Sequence, residues 1–290
     1  MSVISNMRGR TTATATAGGG SVDGHVELAP TTGERWRAAL RWLPAVLVPI
    51  LILVCWQLYV TAANVDPLVL PSPSRIVSQL WENRDIAWTN TAQTLEEMVI
   101  GFGLAVIVAL LIAFVMDNVR WVRNALYPTL IASQTIPVIA IAPLMIIWFG
   151  FGLLPKVLLI ILVTFFPIVV ALLDGFAQTE REAMDLLRTM GASRLQAFRL
   201  VRFPGALPNF FTGLRISATY AVLAAIFAEY VGAYHGLGIW MSQSKSSFRT
   251  DLVFGAIGIC ALISIALFAL IALISRFVMP WHYAARRDGD

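Results

Sequence analysis

The sequence is poor in charge. Only 13% of its 290 residues are Asp, Glu, Lys or Arg, whereas 58% are hydrophobic. That charged share is about half of what a soluble domain carries, so the composition indicates an integral membrane protein. The basic residues fall in a few clusters, which in a membrane protein report topology. We therefore expect a lipid membrane as a partner and no nucleic acid.

Cysteine and histidine are also scarce, with two and three residues respectively. Cys55 and Cys260 both lie in apolar runs, so each is expected to be a small buried hydrophobe, and two cysteines cannot build a disulfide framework or a zinc site. The three histidines, His25, His235 and His282, are too far apart to form a metal or nucleophile cluster within the membrane. No metal site and no catalytic residue is expected. A membrane enzyme is therefore the weakest of the hypotheses considered, which also include an ATP-driven importer and a secondary transporter or channel.

Lysine is almost missing. A phosphate-binding P-loop needs a lysine directly after a glycine. The chain has only Lys156, which follows Pro155, and Lys245, which follows Ser244. We therefore expect no cofactor on this chain and no ATP hydrolysis by it alone. If the chain belongs to an ATP-driven pump, a separate partner chain must bind the ATP and Mg and hydrolyse the ATP.

Long apolar runs are what the sequence does have. Six are long enough to cross about 30 Å of hydrocarbon as helices, and helices satisfy their own backbone groups in lipid. The expected fold is therefore an all-α membrane protein. Pro137 and Pro143 should kink the third span. The predicted spans cover residues 43–60, 99–116, 128–151, 157–173, 210–231 and 253–275.

The loops between these spans differ in basic charge. With a cytoplasmic N-terminus, one side carries fifteen Lys and Arg residues and the other carries five. This asymmetry predicts a multi-pass protein of the inner or plasma membrane with both termini in the cytoplasm. Residues 1–34 lack apolar periodicity and are expected to form a disordered cytoplasmic tail. Residues 35–282 form the membrane domain, and 283–290 a second cytoplasmic tail.

The longest cytoplasmic loop, residues 174–209, is predicted to hold two short helices. Thr179 followed by Glu182 makes a capping box, in which the two side chains satisfy the first free N–H groups of a helix. Ser193 followed by Gln196 makes a second one.

A glycine and a proline set the limits of these helices. Gly191 is expected to end the first helix, because glycine tolerates the left-handed conformation that follows many helices. Pro204 is expected to end the second. The loop should thus be a compact, rigid projection.

Here the sequence resembles a known family. The run Asp185-Leu-Leu-Arg-Thr-Met-Gly191, then nine residues, then Val201-Arg-Phe203-Pro204 keeps the spacing of the EAA loop of ABC importer permeases. Further similarity to the nitrate/sulfonate/taurine branch, which includes importers of thiamine-pyrimidine precursors and riboflavin, covers roughly residues 40–282. It includes Leu70-Pro-Ser-Pro-Ser74 and Gly236-Leu-Gly238.

The resemblance implies a type I importer. Two permease subunits, expected to form a homodimer, would sit on cytoplasmic ABC ATPase subunits that bind ATP and Mg. An extracytoplasmic solute-binding protein would deliver the solute. The loop would seat on the ATPase through Thr179, Glu182, Asp185, Leu186, Leu187, Gly191, Ala192, Ser193, Val201, Phe203 and Pro204.

Three polar residues in or beside the apolar spans are candidates for the translocation path. Gln134 lies in the third span, and Ser217 and Glu229 lie in the fifth. Polar and ionisable groups there are costly without a partner or water, so they often mark a path. The alternative for Gln134 and Glu229 is a satisfied hydrogen bond or ion pair, and Ser217 belongs to a row of small residues that serves helix packing equally well.

A secondary transporter or channel remains the second hypothesis. Such proteins usually carry ion-coupling carboxylates or broken helices at mid-membrane. The two prolines of the third span are the best evidence for it.

Overall fold

The computed structural model describes residues 32–179, 186–187 and 189–281. It divides into two units, Met1–Ile52 and Leu53–Asp290. In the first unit the described residues, 32–52, belong to helix α1, and its described side chains are exposed. The predicted tail, residues 1–34, lies outside the described residues except for the first turn of α1, and residues 282–290 lie outside them too.

Within the described residues every regular element is a helix, which confirms the all-α prediction. One short segment is a π-helix, Phe198–Arg202. The α-helices are α1 (Thr32–Ala62), α2 (Pro73–Glu82), α3 (Arg84–Asn118), α4 (Arg120–Ser133), α5 (Val138–Phe149), α6 (Leu153–Gln178), α7 (Arg194–Ala197), α8 (Phe203–Gly232), α9 (Leu237–Ser246) and α10 (Thr250–Val278).

The described residues do not confirm the six membrane spans that the sequence predicts. Four helical stretches in the described part of the chain are long and apolar enough to cross a bilayer, and they contain α3, α6, α8 and α10. The bent pair α4–α5 would make a fifth. The predicted first span falls on α1, whose described apolar part, Leu47–Ala62, is shorter than these helices. The six-span count is therefore not confirmed.

The third predicted span is not one kinked helix. It consists of α4 and α5, whose axes meet at 102° across residues 134–137. Pro137 has an extended conformation (φ −62°, ψ 121°) and precedes the first residue of α5. A residue before proline avoids the helical region, and proline itself donates no N–H, so two local effects act at one point. The predicted bend is present at Pro137, where it divides the span into two helices, whereas Pro143 lies inside α5.

The core is built around α6 and α8, which make the most extensive helix pair of the fold. Their backbones approach closely where the sequence has glycine. A Cβ at Gly213 would lie 2.7 Å from the Ala171 Cβ, and one at Gly175 would lie 2.8 Å from the Ala206 Cβ. Small residues thus let two large apolar helices pack directly, as expected for helices in lipid.

Helix α3 begins earlier than the hydrophobic pattern indicates. The apolar run starts near residue 99, but the helix starts at Arg84. Its buried face combines small and polar side chains at helical spacing, so the polar first part continues the same face as the apolar second part. That face carries Ala87, Asn90, Thr94, Glu97, Gly101, Ala105, Ala109 and Ala113.

Candidate functional site

The structure describes only part of the predicted coupling loop, residues 174–209. Glu182 and Asp185 lie outside the described residues, so the first capping box and the acidic start of the motif have no structural account. Thr179 directly follows α6, where its hydroxyl donates to the Gly175 carbonyl at 3.3 Å. Leu186 is exposed and Leu187 is half-buried.

The second half of the loop is well defined. The Gln196 side chain accepts from the Ser193 N–H at 2.8 Å, and the Ser193 hydroxyl accepts from the Gln196 N–H at 3.3 Å. This reciprocal pair is the capping box that the sequence predicts. Gly191 has φ of 79°, and the Ala192 N–H next to it donates to the Leu187 carbonyl at 2.9 Å. Glycine is thus used here for its left-handed conformation.

Pro204 does not end the second helix, contrary to expectation. The chain stays helical from residue 195 to 232. The widened turn just before Pro204 explains why, because the Phe203 N–H bonds to the Phe198 carbonyl, five residues back. A π turn shifts the bonding pattern by one residue, so a proline without an N–H fits at the first turn of α8. Val201, Phe203 and Pro204 are half-buried there.

The three path candidates are placed differently from one another. Gln134 is exposed in the break between α4 and α5. Ser217 is fully buried, and its hydroxyl donates to the Thr164 carbonyl of α6 at 2.7 Å. Glu229 is also fully buried. The structure does not bring these three residues together in one cavity, and their role in the path stays a prediction.

Glu229 belongs to a group of residues that we call the buried polar cluster: Asn90, Thr94, Glu97, Lys156 and Glu229. The Lys156 Nζ lies 2.5 Å from the Glu97 Oε1, with only 9% and 0% of the two side chains exposed. The Gln93 amide donates to the same Glu97 oxygen at 2.8 Å. This ion pair joins α3 to α6 inside the bundle.

The second carboxylate of the cluster holds the turn between α8 and α9. The Glu229 carboxylate accepts from the Thr94 hydroxyl at 2.6 Å and from the Gly238 N–H at 2.7 Å. The Asn90 side chain accepts from the Gly236 N–H at 2.8 Å, and the Thr94 hydroxyl accepts from the Leu237 N–H at 2.9 Å. Side chains of α3 and α8 therefore satisfy three consecutive N–H groups at the start of α9.

This arrangement gives the Gly236-Leu-Gly238 pattern a physical reason. Gly236 has φ of 134°, which only glycine adopts readily, and a Cβ there would overlap the Glu229 carboxylate. A Cβ at Gly238 would lie 2.9 Å from the Glu229 Cβ. Both glycines therefore make room for one buried acid.

Sequence reasoning missed the Glu97–Lys156 pair. It placed Glu97 just before a span and Lys156 in a short turn between spans. One signal for the pair was available in the sequence, because Asn90, Thr94 and Glu97 lie on one helical face. The small residues from Gly101 onward lie on the same face, so the polar and small residues together form a single buried stripe.

One exposed face of α8, which we call the grooved face, carries polar side chains among apolar ones such as Ile216 and Leu223. Thr212, Thr219 and Tyr220 are exposed there, whereas the exposed faces of α3 and α10 are apolar, as Leu111 and Leu262 show. Two open cavities of about 540 and 380 Å³ adjoin this face and share Thr212. Polar side chains exposed along a bilayer-length helix indicate contact with protein or water rather than with lipid.

A single arginine lines the larger cavity. The Arg215 guanidinium donates to the Ser275 hydroxyl of α10 at 2.9 Å and lies 5.8 Å from the centre of the Phe268 ring. At the far end of the smaller cavity are Asp174 and Gln178 of α6. The grooved face thus combines hydroxyl groups with one charge of each sign.

Several bilayer-length helices packed around a cluster of buried charges define an integral membrane protein of several spans. The comparisons make this specific: the model of the binding-protein-dependent transport system inner membrane component family matches residues 101–281. The chain belongs to this family.

Known relatives agree with this assignment. The chain is 37% identical to the formylaminopyrimidine transport permease protein ThiX of Halalkalibacterium halodurans, over 80% of this chain and 93% of that one. It is 37% identical to the riboflavin transport system permease protein RibX of Chloroflexus aurantiacus, over 82% and 91%. It is 30% identical to the taurine transport system permease protein TauC of Escherichia coli, over 80% and 86%.

A solved structure supports the fold. The crystal structure of an amino acid ABC transporter with histidines matches with a TM-score of 0.55 at 15% identity, over 69% of this chain and 97% of the other. The protein is therefore a multi-pass membrane permease subunit of an ABC importer for small solutes, and a transport component.

Proposed function

We propose that this permease imports a small polar solute by coupling to separate ABC ATPase subunits through residues 174–209. Its ATP and Mg would be bound by those ATPase subunits, and an extracytoplasmic solute-binding protein would deliver the solute. Two copies of the chain would form the path, with both termini in the cytoplasm. The single observation that carries the proposal is the Gly191–Gln196 turn, whose capping box and left-handed glycine give this segment the rigid shape that coupling requires.

The surface of this segment supports a docking role. Leu186, Met190, Leu195 and Leu200 are 59–75% exposed, although all four are large and apolar. Exposed apolar residues close together in sequence mark a protein contact. An ATPase surface is the occupant that the family implies.

The relatives suggest the class of solute. Their names cover a formylaminopyrimidine, riboflavin and taurine. We therefore propose a nitrate-, sulfonate- or taurine-like anion, a thiamine-pyrimidine precursor or riboflavin. We place the path along the grooved face of α8, because its Thr212, Thr219 and Tyr220 side chains offer hydroxyl groups inside the membrane domain.

The test is recovery of an ATPase from gently solubilised membranes. The intact chain should bring down an ABC ATPase, and deletion of residues 179–204 should abolish this. As a milder variant, Leu186→Glu with Met190→Glu should reduce recovery at least about tenfold, since truncating or charging a hot spot costs about 2 kcal/mol or more. Val77→Glu on α2, an equally exposed apolar site, is the matched control.

The alternative hypothesis is a secondary transporter or channel, and its structural support is the broken pair α4–α5, because broken helices often form ion sites. Membership of the binding-protein-dependent family stands against it. Uptake that continues after ATP depletion, together with no recovered ATPase, would favour this candidate over the importer.

A further inference from the structure

The described end of the loop is tied to a distant helix by one ion pair. The Arg202 Nη2 lies 2.7 Å from the Asp117 Oδ1, although 85 residues separate them in sequence. Asp117 stands in the last turn of α3, and Arg202 ends the π segment. Only 4% of the Asp117 side chain and 32% of the Arg202 side chain is exposed. Such a charge-assisted bond is stronger and more directional than a neutral one.

Aromatic contacts reinforce the same junction. The Phe198 ring, also in the π segment, stands edge-on to Phe114 of α3 with ring centres 5.1 Å apart. It lies 5.6 Å from Phe176 of α6, and the Arg202 guanidinium lies 5.9 Å from the centre of that ring. The π segment is thus held on one side by α3 and on another by α6.

The π segment is a widened helical turn, in which the Phe203 N–H bonds to the Phe198 carbonyl five residues back. π turns are rare and occur mostly at functional sites. Here the π turn stands between the capped turn at Gly191–Gln196 and the membrane helix α8. Movement of the loop can reach the membrane helices at two ends, through Thr179 to α6 and through the π segment to α8. Both contacts to α3, from Arg202 and from Phe198, start in the π segment.

We propose that Arg202 and Asp117 are positioning residues that pass movement of residues 186–202 to α3. The inference rests on the proposed function, because it presumes that an ATPase moves this segment. Without the pair, the loop would keep its backbone link to α8 and would contact α3 through the Phe198 ring, which carries no charge-assisted bond, so α3 would follow loop movement less closely. Arg123 also acts electrostatically on the Asp117 carboxylate, so loss of Arg202 does not leave this charge wholly uncompensated.

The experiment uses the full chain, reconstituted with its co-purified ATPase. It measures helix movement through the accessibility of a cysteine, and does not measure solute uptake. A cysteine at Thr89, an exposed residue of α3 far along the helix from Asp117, is labelled with a fluorescent maleimide, with and without Mg-ATP and vanadate. A cysteine at Thr219 on α8 is the reference, because the backbone joins the loop to α8 whether or not the pair is present. Cys55, which is exposed contrary to the expectation from the sequence, is changed to serine, and Cys260 is buried as expected and stays. The readout is the change in labelling rate on adding nucleotide, beside the rate of ATP hydrolysis.

In Asp117→Asn and in Arg202→Gln the nucleotide-dependent change in labelling at residue 89 should fall about 3- to 10-fold, within the range by which substitutions along a coupled network change the coupling. ATPase recovery and ATP hydrolysis should persist. The double variant should regain part of the change, since an Asn–Gln pair can still hydrogen-bond and buries no lone charge. Arg120→Gln, an exposed arginine close to Asp117, is the control and should behave like the unmodified chain.

Two results would overturn the inference. One is a full labelling response in both single variants. The other is a loss of response matched by equal losses of ATPase recovery and hydrolysis, which would assign the pair a purely structural role. Recovery of no ATPase by the unmodified chain would instead overturn the proposed function, and this inference with it.

Discussion

Replacing Lys156 with methionine should destabilise the protein strongly. The change keeps most of the side-chain volume but removes the ammonium group 2.5 Å from the Glu97 carboxylate. Since Glu97 is fully buried, its charge would lose its ionic partner without gaining contact with solvent. Removing one member of a buried ion pair typically costs about 3–5 kcal/mol, and we expect a loss of that size for Lys156→Met.

A second substitution separates charge from packing. Adding Glu97→Gln to Lys156→Met removes the stranded charge, keeps the volume and leaves a group that can still bond to Gln93. The double variant should therefore regain about 2 kcal/mol or more over Lys156→Met alone. Lys245→Met is the matched control, because Lys245 is exposed at the end of α9, and its effect should stay within about 0.5 kcal/mol.

The assay is reversible unfolding in mixed detergent micelles, followed by circular dichroism. The free energies of the two single variants and the double variant form a thermodynamic cycle, from which the coupling between the two residues is obtained. If Lys156→Met cost less than about 1 kcal/mol, or if the two substitutions added without coupling, the ion pair would not hold α3 to α6 as we argue.

The remaining predictions concern glycines and topology. Gly191→Val should lower transport per ATP hydrolysed while membrane insertion stays normal, because a β-branched residue at φ 79° is strained by about 1–3 kcal/mol; normal coupling in a reconstituted transport assay would contradict this. Gly213→Ala should cost about 1–3 kcal/mol in the same unfolding assay by forcing α6 and α8 apart, whereas Gly103→Ala, whose Cβ meets nothing within 4 Å, should not. Single cysteines at Ser72 and Ser193 should react with an impermeant maleimide from opposite sides of the membrane, and labelling from the same side would refute the topology.

Much of the fold could be predicted from local signals. The apolar runs predicted the positions of α6, α8 and α10, because a run of about 20 apolar residues is enough to indicate a bilayer-length helix. The Ser193–Gln196 box and the left-handed Gly191 could also be predicted, since both depend on residues within a few positions of one another. Such features need no tertiary information.

What could not be predicted depends on distant contacts. The polar start of α3 does not look like a span, and only the Lys156 and Glu229 partners explain why Asn90, Thr94 and Glu97 can be buried. The pairing of Arg202 with Asp117 joins residues far apart in sequence and has no local signature. The error over Pro204 has the same origin, because proline rules assume a regular α-helix and a π turn removes the conflict.

The break at residues 134–137 has a consequence for how this protein can exist in a cell. Irregular backbone at membrane depth is tolerated only where protein or water covers it, because lipid cannot hydrogen-bond to it. Gln134, Thr135, Ile136 and Pro137 are all exposed on the single chain. Their N–H groups, apart from proline, which has none, bond to the carbonyls of residues 131–133. The polar group that lipid would leave without a partner is therefore the exposed Gln134 side chain, which requires protein or water beside it once the chain is in the membrane.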